Sequence, residues 1–305
     1  MQFTLIINPR AAGGRAMAKR RVVEAAMREA GLRPSIVLTE APRHATRLAR
    51  RALAAGAEGI AVVGGDGTFS ETLAGFFDER GERVRPGAWL SPLPCGTGGD
   101  FRRTVYPGRT LRSLAAGIKA RPPRALDVGW VEFDTGSARV GRAFLNIASF
   151  GLGGLVDRFV NDAPKRLGGR VAFALGTLRA LRSYAGPRVR VQVGDEAFVE
   201  RIANVAVANG QYFGGGMHIA PEAQVDDGLF DVVTLRWRGP LRQTALARDL
   251  YGGTILRRKD VRHHRGNEVE AVPLGSEDVL LDVDGEAPGR LPARFSIRRG
   301  IVRLR

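Results

Sequence analysis

Ile60-Ala61-Val62-Val63-Gly64-Gly65-Asp66-Gly67-Thr68-Phe69-Ser70-Glu71-Thr72 is the stretch around which the chain is organised. Ile60 to Val63 is a short apolar, β-branched run that reads as a buried strand, and Thr68 opens a segment of helical composition. The glycines at 64, 65 and 67 let the backbone turn tightly and remove every Cβ that would keep a bulky anion from the amide N–H groups. The positive end of the helix that follows adds to that attraction, so the corner suits a phosphate. A bare carboxylate at Asp66 would repel a phosphate unless a divalent cation lay between them, which points to Mg²⁺ and a nucleotide. Glycines with an aspartate also make ordinary tight turns, and the corner alone does not separate the two readings.

At 305 residues the chain is long for one core, so two domains are expected. Its 44% hydrophobic and 26% charged residues describe a globular protein and exclude a disordered one. The formal net charge of +16 favours anionic partners (membrane surface, nucleic acid or nucleotide) without choosing among them. A single cysteine, Cys95, excludes an internal disulfide and a cysteine-based zinc site and fits a reducing, cytoplasmic setting. Met1 to Arg10 lacks the basic start and apolar core of a signal peptide, and no run approaches the ~20 apolar residues of a membrane span. A soluble protein with peripheral contact to anionic membrane is the expectation.

Outward from the corner, Phe3 to Ile7 reads as a strand leading into Asn8-Pro9-Arg10-Ala11-Ala12-Gly13-Gly14-Arg15. A helix from Ala16 to Ala30 follows, burying Val22, Val23, Ala26 and Met27 and capped by Gly31. Ser35 to Leu38 is a strand ending at Thr39, Pro42 to Ala55 a helix, Thr68 to Phe77 a helix, and Ala88 to Leu93 a strand leading to Pro94-Cys95-Gly96-Thr97-Gly98-Gly99-Asp100-Phe101. This alternation predicts an α/β nucleotide-binding domain over 1–123, parallel and three-layered, with its ligand loops at the carboxyl ends of the strands. Beyond Pro122-Pro123, strands at 125–133, 138–148, 188–193, 202–208, 229–237, 268–272 and 279–283 predict a mostly antiparallel β-sandwich domain over 124–292. Helices at 170–184 and 241–251 interrupt it, and strands at 293–298 and 301–305 return to the first domain. The overall class is α/β plus β, and an exposed sheet edge in the second domain would support a homodimer.

The Gly64-Gly65-Asp66-Gly67-Thr68 segment resembles the signature shared by diacylglycerol kinases, sphingosine kinases and NAD kinases, and no Walker P-loop occurs. The likeness extends along the chain to bacterial diacylglycerol kinase-type lipid kinases. It is carried by Asn8-Pro9, Gly64 to Thr68, Gly96-Thr97-Gly98-Gly99-Asp100-Phe101, Pro221-Glu222-Ala223-Gln224-Val225-Asp226-Asp227-Gly228 and Asp284-Gly285-Glu286, in that order. One departure is Gly99, where that family usually has asparagine.

The resemblance implies an ATP-dependent lipid kinase with nucleotide contacts from Asn8, Thr39, Gly64, Gly65, Asp66, Gly67, Thr68, Phe69, Ser70 and Thr97. Arg15 and Arg103, beside two of the loops, would neutralise phosphate charge. Asp66, Asp100 and Asp127 form an acidic set for a catalytic Mg²⁺, because phosphoryl transfer asks the protein mainly for positioning and charge neutralisation. Glu286 is the candidate general base, with Asp284 beside it, although Asp-Gly is equally a hairpin-turn signal. The Asp227 side chain with carbonyls of Gln224 and Leu229 would hold a second, structural Mg²⁺. Phe150 to Leu155 and Gly210 to Met217 would line a lipid cleft or be packing corners. Arginines at 166, 170, 179 and 182 put a basic stripe on a helix, a membrane-facing surface or a solvated one. An NAD kinase-like activity and a non-catalytic basic lipid-binding protein are the rival readings; nucleic acid is not expected as a partner.

Overall fold

A computed structural model describes the chain except for residues 12–13, 95–98, 137 and 162–168, and except for the side chains at 15, 157, 160–161, 169–174 and 241. Strands β1 (Phe3–Ile7), β2 (Ser35–Leu38), β3 (Gly59–Gly64) and β4 (Trp89–Pro94) form a parallel sheet in the order β2-β1-β3-β4. Strands buried on both faces need mostly apolar residues, and β1 is apolar at every position but Thr4. Phe3, Leu5 and Ile7 face helices α2 (Arg20–Glu29) and α6 (Leu111–Ala120). Ile6 faces α3 (His44–Ala54) and α4 (Asp66–Ala74) on the other side, completing the three layers.

The helix expected from Ala16 to Ala30 is divided at Lys19 into α1 (Arg15–Ala18) and α2. Val23, Ala26 and Met27 are buried as expected, whereas Val22 is exposed. Strands β5 (Arg124–Asp134), β6 (Arg139–Phe144), β7 (Ile147–Gly151), β8 (Arg188–Val193), β9 (Glu196–Ala208), β12 (Phe230–Arg236), β13 (Val261–Gly266), β14 (Glu268–Pro273) and β15 (Leu281–Val283) build the antiparallel sandwich, with β10 (Tyr212–Phe213) and β11 (Met217–His218) as a small ribbon. The thirteen-residue β9 pairs with β8 through its first half and with β7 and β12 through its second, so one strand turns the corner between the two layers. Phe150, Val205, Phe230 and Phe295 meet in the core between them.

The expected strand over 138–148 is two strands, because the chain turns sharply at Leu145 and Asn146. Two elements carry weak sequence signals. The edge strand β13, Val261-Arg262-His263-His264-Arg265-Gly266, is too polar for an alternating pattern, and charged residues suit an edge. Helix α7 (Leu152–Asn161) begins among glycines at 153 and 154 that read as a loop. The helices α8 (Gly169–Ser183) and α9 (Pro240–Gly252) lie where expected.

The final strand β16 (Arg290–Leu304) joins the two regions. It runs antiparallel to β5 and β14, shifts register between Arg298 and Val302, and ends parallel to Trp89 and Leu90 of β4. Asp127 of β5 fastens that junction. Its carboxylate accepts from Gly228 N at 2.7 Å and from Gly300 N at 2.6 Å, while its own N–H donates to Val225 O. Asp127 is therefore a buried clamp between β5, the Gly228 turn and the β16 irregularity, not the catalytic Mg²⁺ ligand expected of it. Removing a buried acceptor leaves both amides unsatisfied, at a cost of about 2–4 kcal/mol. Asp127→Ala is expected to lower unfolding free energy by that amount in urea titrations; a loss of turnover with unchanged stability would contradict the clamp.

Candidate functional site

Asn8, Thr39, Gly64 and the loop after Pro94 follow the ends of β1, β2, β3 and β4, so the parallel sheet brings them to one edge. Asn8 Nδ2 donates to Thr68 Oγ1 at 2.8 Å, tying the first loop to the glycine corner. Thr39 is buried, with its N–H on Ile7 O. Gly64 is required by packing, since a Cβ there would lie 2.6 Å from the Thr68 side chain. Gly65 and Gly67 have open space where a Cβ would stand, which leaves their backbone accessible. Helix α4 begins at Asp66, with Gly65 at its N-cap, two residues earlier than expected. Thr68, Phe69 and Ser70 consequently point inward: all three are buried, and Phe69 packs against Phe101 at 5.5 Å. Thr97 and the Arg15 side chain lie outside the described residues.

The Asp66 carboxylate accepts from Asp100 N at 2.9 Å and Phe101 N at 3.4 Å. Those are first-turn amides of α5 (Asp100–Val105), whose N-cap residue, Gly99, has no side chain to satisfy them. Gly99 adopts φ +107°, a conformation glycine accepts and asparagine tolerates poorly at this value, and Asp66 supplies the missing cap from the neighbouring loop. Asp100 then reaches across to the second region. It accepts from Gly215 N at 2.7 Å and pairs with Arg103, so Arg103 is engaged by a carboxylate in the described geometry.

Asp66, Asp100, Asp282 and Asp284 line a cavity of about 590 Å³. Much of the remaining wall is apolar, from Leu145, Leu152, Val156, Phe213, Leu246 and Leu250 among others. Both glycine-rich segments, around 150–155 and 210–217, contribute to it. A smaller groove holding Gly64, Gly65, Gly99 and Arg102 also has Asp66 in its wall. Asp66 is thus shared, with Phe69 and Phe101, by the groove at the phosphate corner and the larger cavity.

Asp284 sits at φ +52° in a tight turn with Gly285, and its buried carboxylate accepts from Leu145 N, Asn146 N and Ile147 N at 3.0–3.1 Å. These bonds form the sharp turn between β6 and β7. Glu286 is not brought to the acids: it does not line the cavity, and its carboxylate pairs with Arg142 at 2.8 Å. Its neighbour Gly285 does line it.

Burial raises the Asp66 carboxyl above the ordinary range, opposed by the Asp100 amide and reinforced by the Asp100 charge. Burial pushes Asp284 in the same direction. Hard carboxylate oxygens crowded together suit a divalent cation, so the Asp66 and Asp100 pair fits Mg²⁺, with Arg103 already meeting part of the charge of Asp100. At the second expected site, Asp227 accepts from Leu229 N at 3.0 Å and pairs with Arg265, whose guanidinium also lies 3.5 Å from Asp231. The loop that carries Gln224, Asp227 and Leu229 is thus tied to β13 by an ion pair.

Residues 2–131 match the diacylglycerol kinase catalytic domain, and residues 146–305 match the YegS C-terminal NAD kinase beta sandwich-like domain. A Pseudomonas aeruginosa protein named Probable lipid kinase YegS-like is 32% identical over 93% of this chain and 88% of its own. The chain belongs to the diacylglycerol kinase catalytic-domain family. Within this kinase family, the diacylglycerol kinase of Bacillus subtilis is 26% identical over 95% of this chain and 91% of its own. The crystal structure of a diacylglycerol kinase from Bacillus anthracis shares the fold, with a TM-score of 0.72, 20% identity, and 99% of this chain and 96% of that one covered.

The raised Asp66 carboxyl carries a stability consequence. A group whose folded pKa exceeds its unfolded value adds stability below the unfolded value and loses it as pH rises through the folded one. Asp66→Asn removes that pH dependence but leaves one acceptor oxygen for the two α5 amides. In magnesium-free buffer the variant is expected to lose less melting temperature than the wild type between pH 4 and pH 8. Equal losses in the two proteins would show that Asp66 does not carry this pH dependence.

Proposed function

We propose that this chain is a kinase that transfers the γ-phosphoryl group of ATP to a hydroxyl of a lipid. The observation that carries the reading is the position of Asp66, shared by the glycine corner on one side and the apolar cavity on the other. Residues 1–123 with 293–305 take the nucleotide and 124–292 take the lipid. Backbone amides about Gly65 and Gly67 hold the phosphates, and Asn8 keeps Thr68 in register beneath them. Asp66 and Asp100 would hold Mg²⁺, which when bound offsets the charge of the phosphate oxygens.

The acceptor's hydroxyl oxygen bonds to the γ-phosphorus as the bond to the β–γ bridging oxygen breaks, giving a lipid monophosphate and a nucleoside diphosphate. We assign the departing proton to Glu286, one residue beyond cavity-lining Gly285 and held by Arg142. The ligand-free position of a carboxylate does not by itself exclude a base. Apart from the acids the cavity wall is mainly apolar, which suits a hydrocarbon tail better than a dinucleotide acceptor such as NAD.

Contact with a bilayer is supported at α8. Leu175 and Leu178 are exposed there beside Arg179 and Arg182, while Thr177 and Leu181 on the same helix line the cavity. Such a face lets apolar side chains enter the interface and arginines meet anionic headgroups. Among the described residues no helix is long and apolar enough to cross a membrane.

With radiolabelled ATP and a panel of lipid alcohols, the wild-type chain is expected to yield a labelled lipid. Asp66→Ala and Glu286→Ala should each reduce turnover by about 100-fold or more while circular dichroism stays native. Retained turnover in both would remove the assignment. Leu175→Ser with Leu178→Ser is expected to weaken flotation with phosphatidylglycerol vesicles; unchanged flotation would place the membrane face elsewhere.

A further inference from the structure

Among the described residues, Asp66 and Arg102 are the charged side chains in the wall of the small groove that also holds Gly64, Gly65 and Gly99. Arg102 is half-buried, and its Nε is buried without a hydrogen-bond acceptor. Arg50, Arg236 and Arg305 also bury an Nε that has no acceptor. Each of those three engages a terminal nitrogen instead, Arg50 on Phe77 O, Arg236 on Glu200 and Arg305 on Ile118 O. Arg102 differs from them: its guanidinium donates no hydrogen bond and joins no ion pair among the described residues. Its neighbour Arg103 is paired with Asp100.

The place of Arg102 follows from Gly99. Side chains on a helix lean toward its N-terminus and cover the turn before them. Arg102 stands three residues after Gly99, and a Cβ on Gly99 would lie 3.5 Å from both Cβ and Nε of Arg102. The arginine stem therefore lies over a backbone position that has no side chain of its own. On its outer side Arg102 also lines an open cleft with Arg103, Arg109, Tyr212 and Tyr251.

We propose that Arg102 is a phosphate-binding residue of the nucleotide groove, meeting the polyphosphate of ATP where Gly99 offers no side chain. This rests on the kinase reading above and adds a cation to the amides about Gly65 and Gly67. A guanidinium has five N–H donors and no acceptor, so the partner that Arg102 lacks is an acceptor, and an anionic one binds most strongly. Partial burial strengthens that attraction relative to bulk water. The arginines of the outer cleft draw anions toward the same place.

The test is isothermal titration calorimetry of the full chain with ADP in magnesium buffer, repeated over a range of KCl concentrations. Arg102→Ala is expected to raise Kd at least about 10-fold, as loss of a hydrogen bond between charged groups allows. Its Kd should also rise less steeply with salt than the wild-type value, because one screened charge contact is gone. Arg109→Ala removes the same charge from the outer cleft alone and is expected to leave Kd within two-fold. Three results overturn the proposal: Arg102→Ala binding ADP within two-fold of wild type, an equal loss in Arg109→Ala, or a loss whose salt dependence stays as steep as that of the wild type. If Arg102→Ala does not fold, Arg102→Gln, which keeps much of the stem, is read against the same criteria. If the wild type binds no ADP, the kinase reading fails, and tripolyphosphate becomes the probe. Weaker tripolyphosphate binding to Arg102→Ala than to wild type then supports the anion site, and equal or absent binding overturns it.

Discussion

The geometry of the site depends on one carboxylate accepting two backbone amides. Asp66 reaches from the first turn of α4 to the Asp100 and Phe101 N–H groups at the start of α5. A helix start without a capping side chain leaves amides unsatisfied, and Gly99 offers none. Asp66 meets that need from another loop, which brings two acids close together. Asp100 extends the chain of contacts to Gly215, so both regions of the molecule are held about the same point.

That arrangement concentrates negative charge where burial opposes it. Asp66 and Asp284 both have carboxyls raised by burial, and each is held by backbone amides that favour the ionised form. Acids kept buried against such a cost fit a site organised for charge that arrives with a ligand. The protein as a whole is basic, at +16, yet four aspartates line its cavity. Global charge therefore says where anions and surfaces meet the molecule, and local charge says what happens within it.

Two strands make the site a property of the whole chain. β16 carries the C-terminal residues back to β4, and β9 passes from one layer of the sandwich to the other. Asp127 locks the first of these junctions. Its conversion from expected metal ligand to internal clamp has a plain cause: an aspartate near a strand end reads the same in sequence whether its partners are amides or a cation. The ion pair of Asp227 was equally hidden, because its partner Arg265 lies on β13, an edge strand with no alternating pattern to announce it.

The sequence by itself determined the parallel sheet, the antiparallel second region and the glycine corner, because buried strands and tight turns restrict residue type locally. It also marked Asp66 and Asp100, which flank glycines in recognisable loops. What only the tertiary structure decided were contacts between residues far apart in the chain: Asp66 capping α5, Asp284 shaping the Leu145–Ile147 turn, and Glu286 on Arg142. Those partners are set by strand register across the sandwich, and register depends on how whole layers pack, which no short stretch of residues encodes.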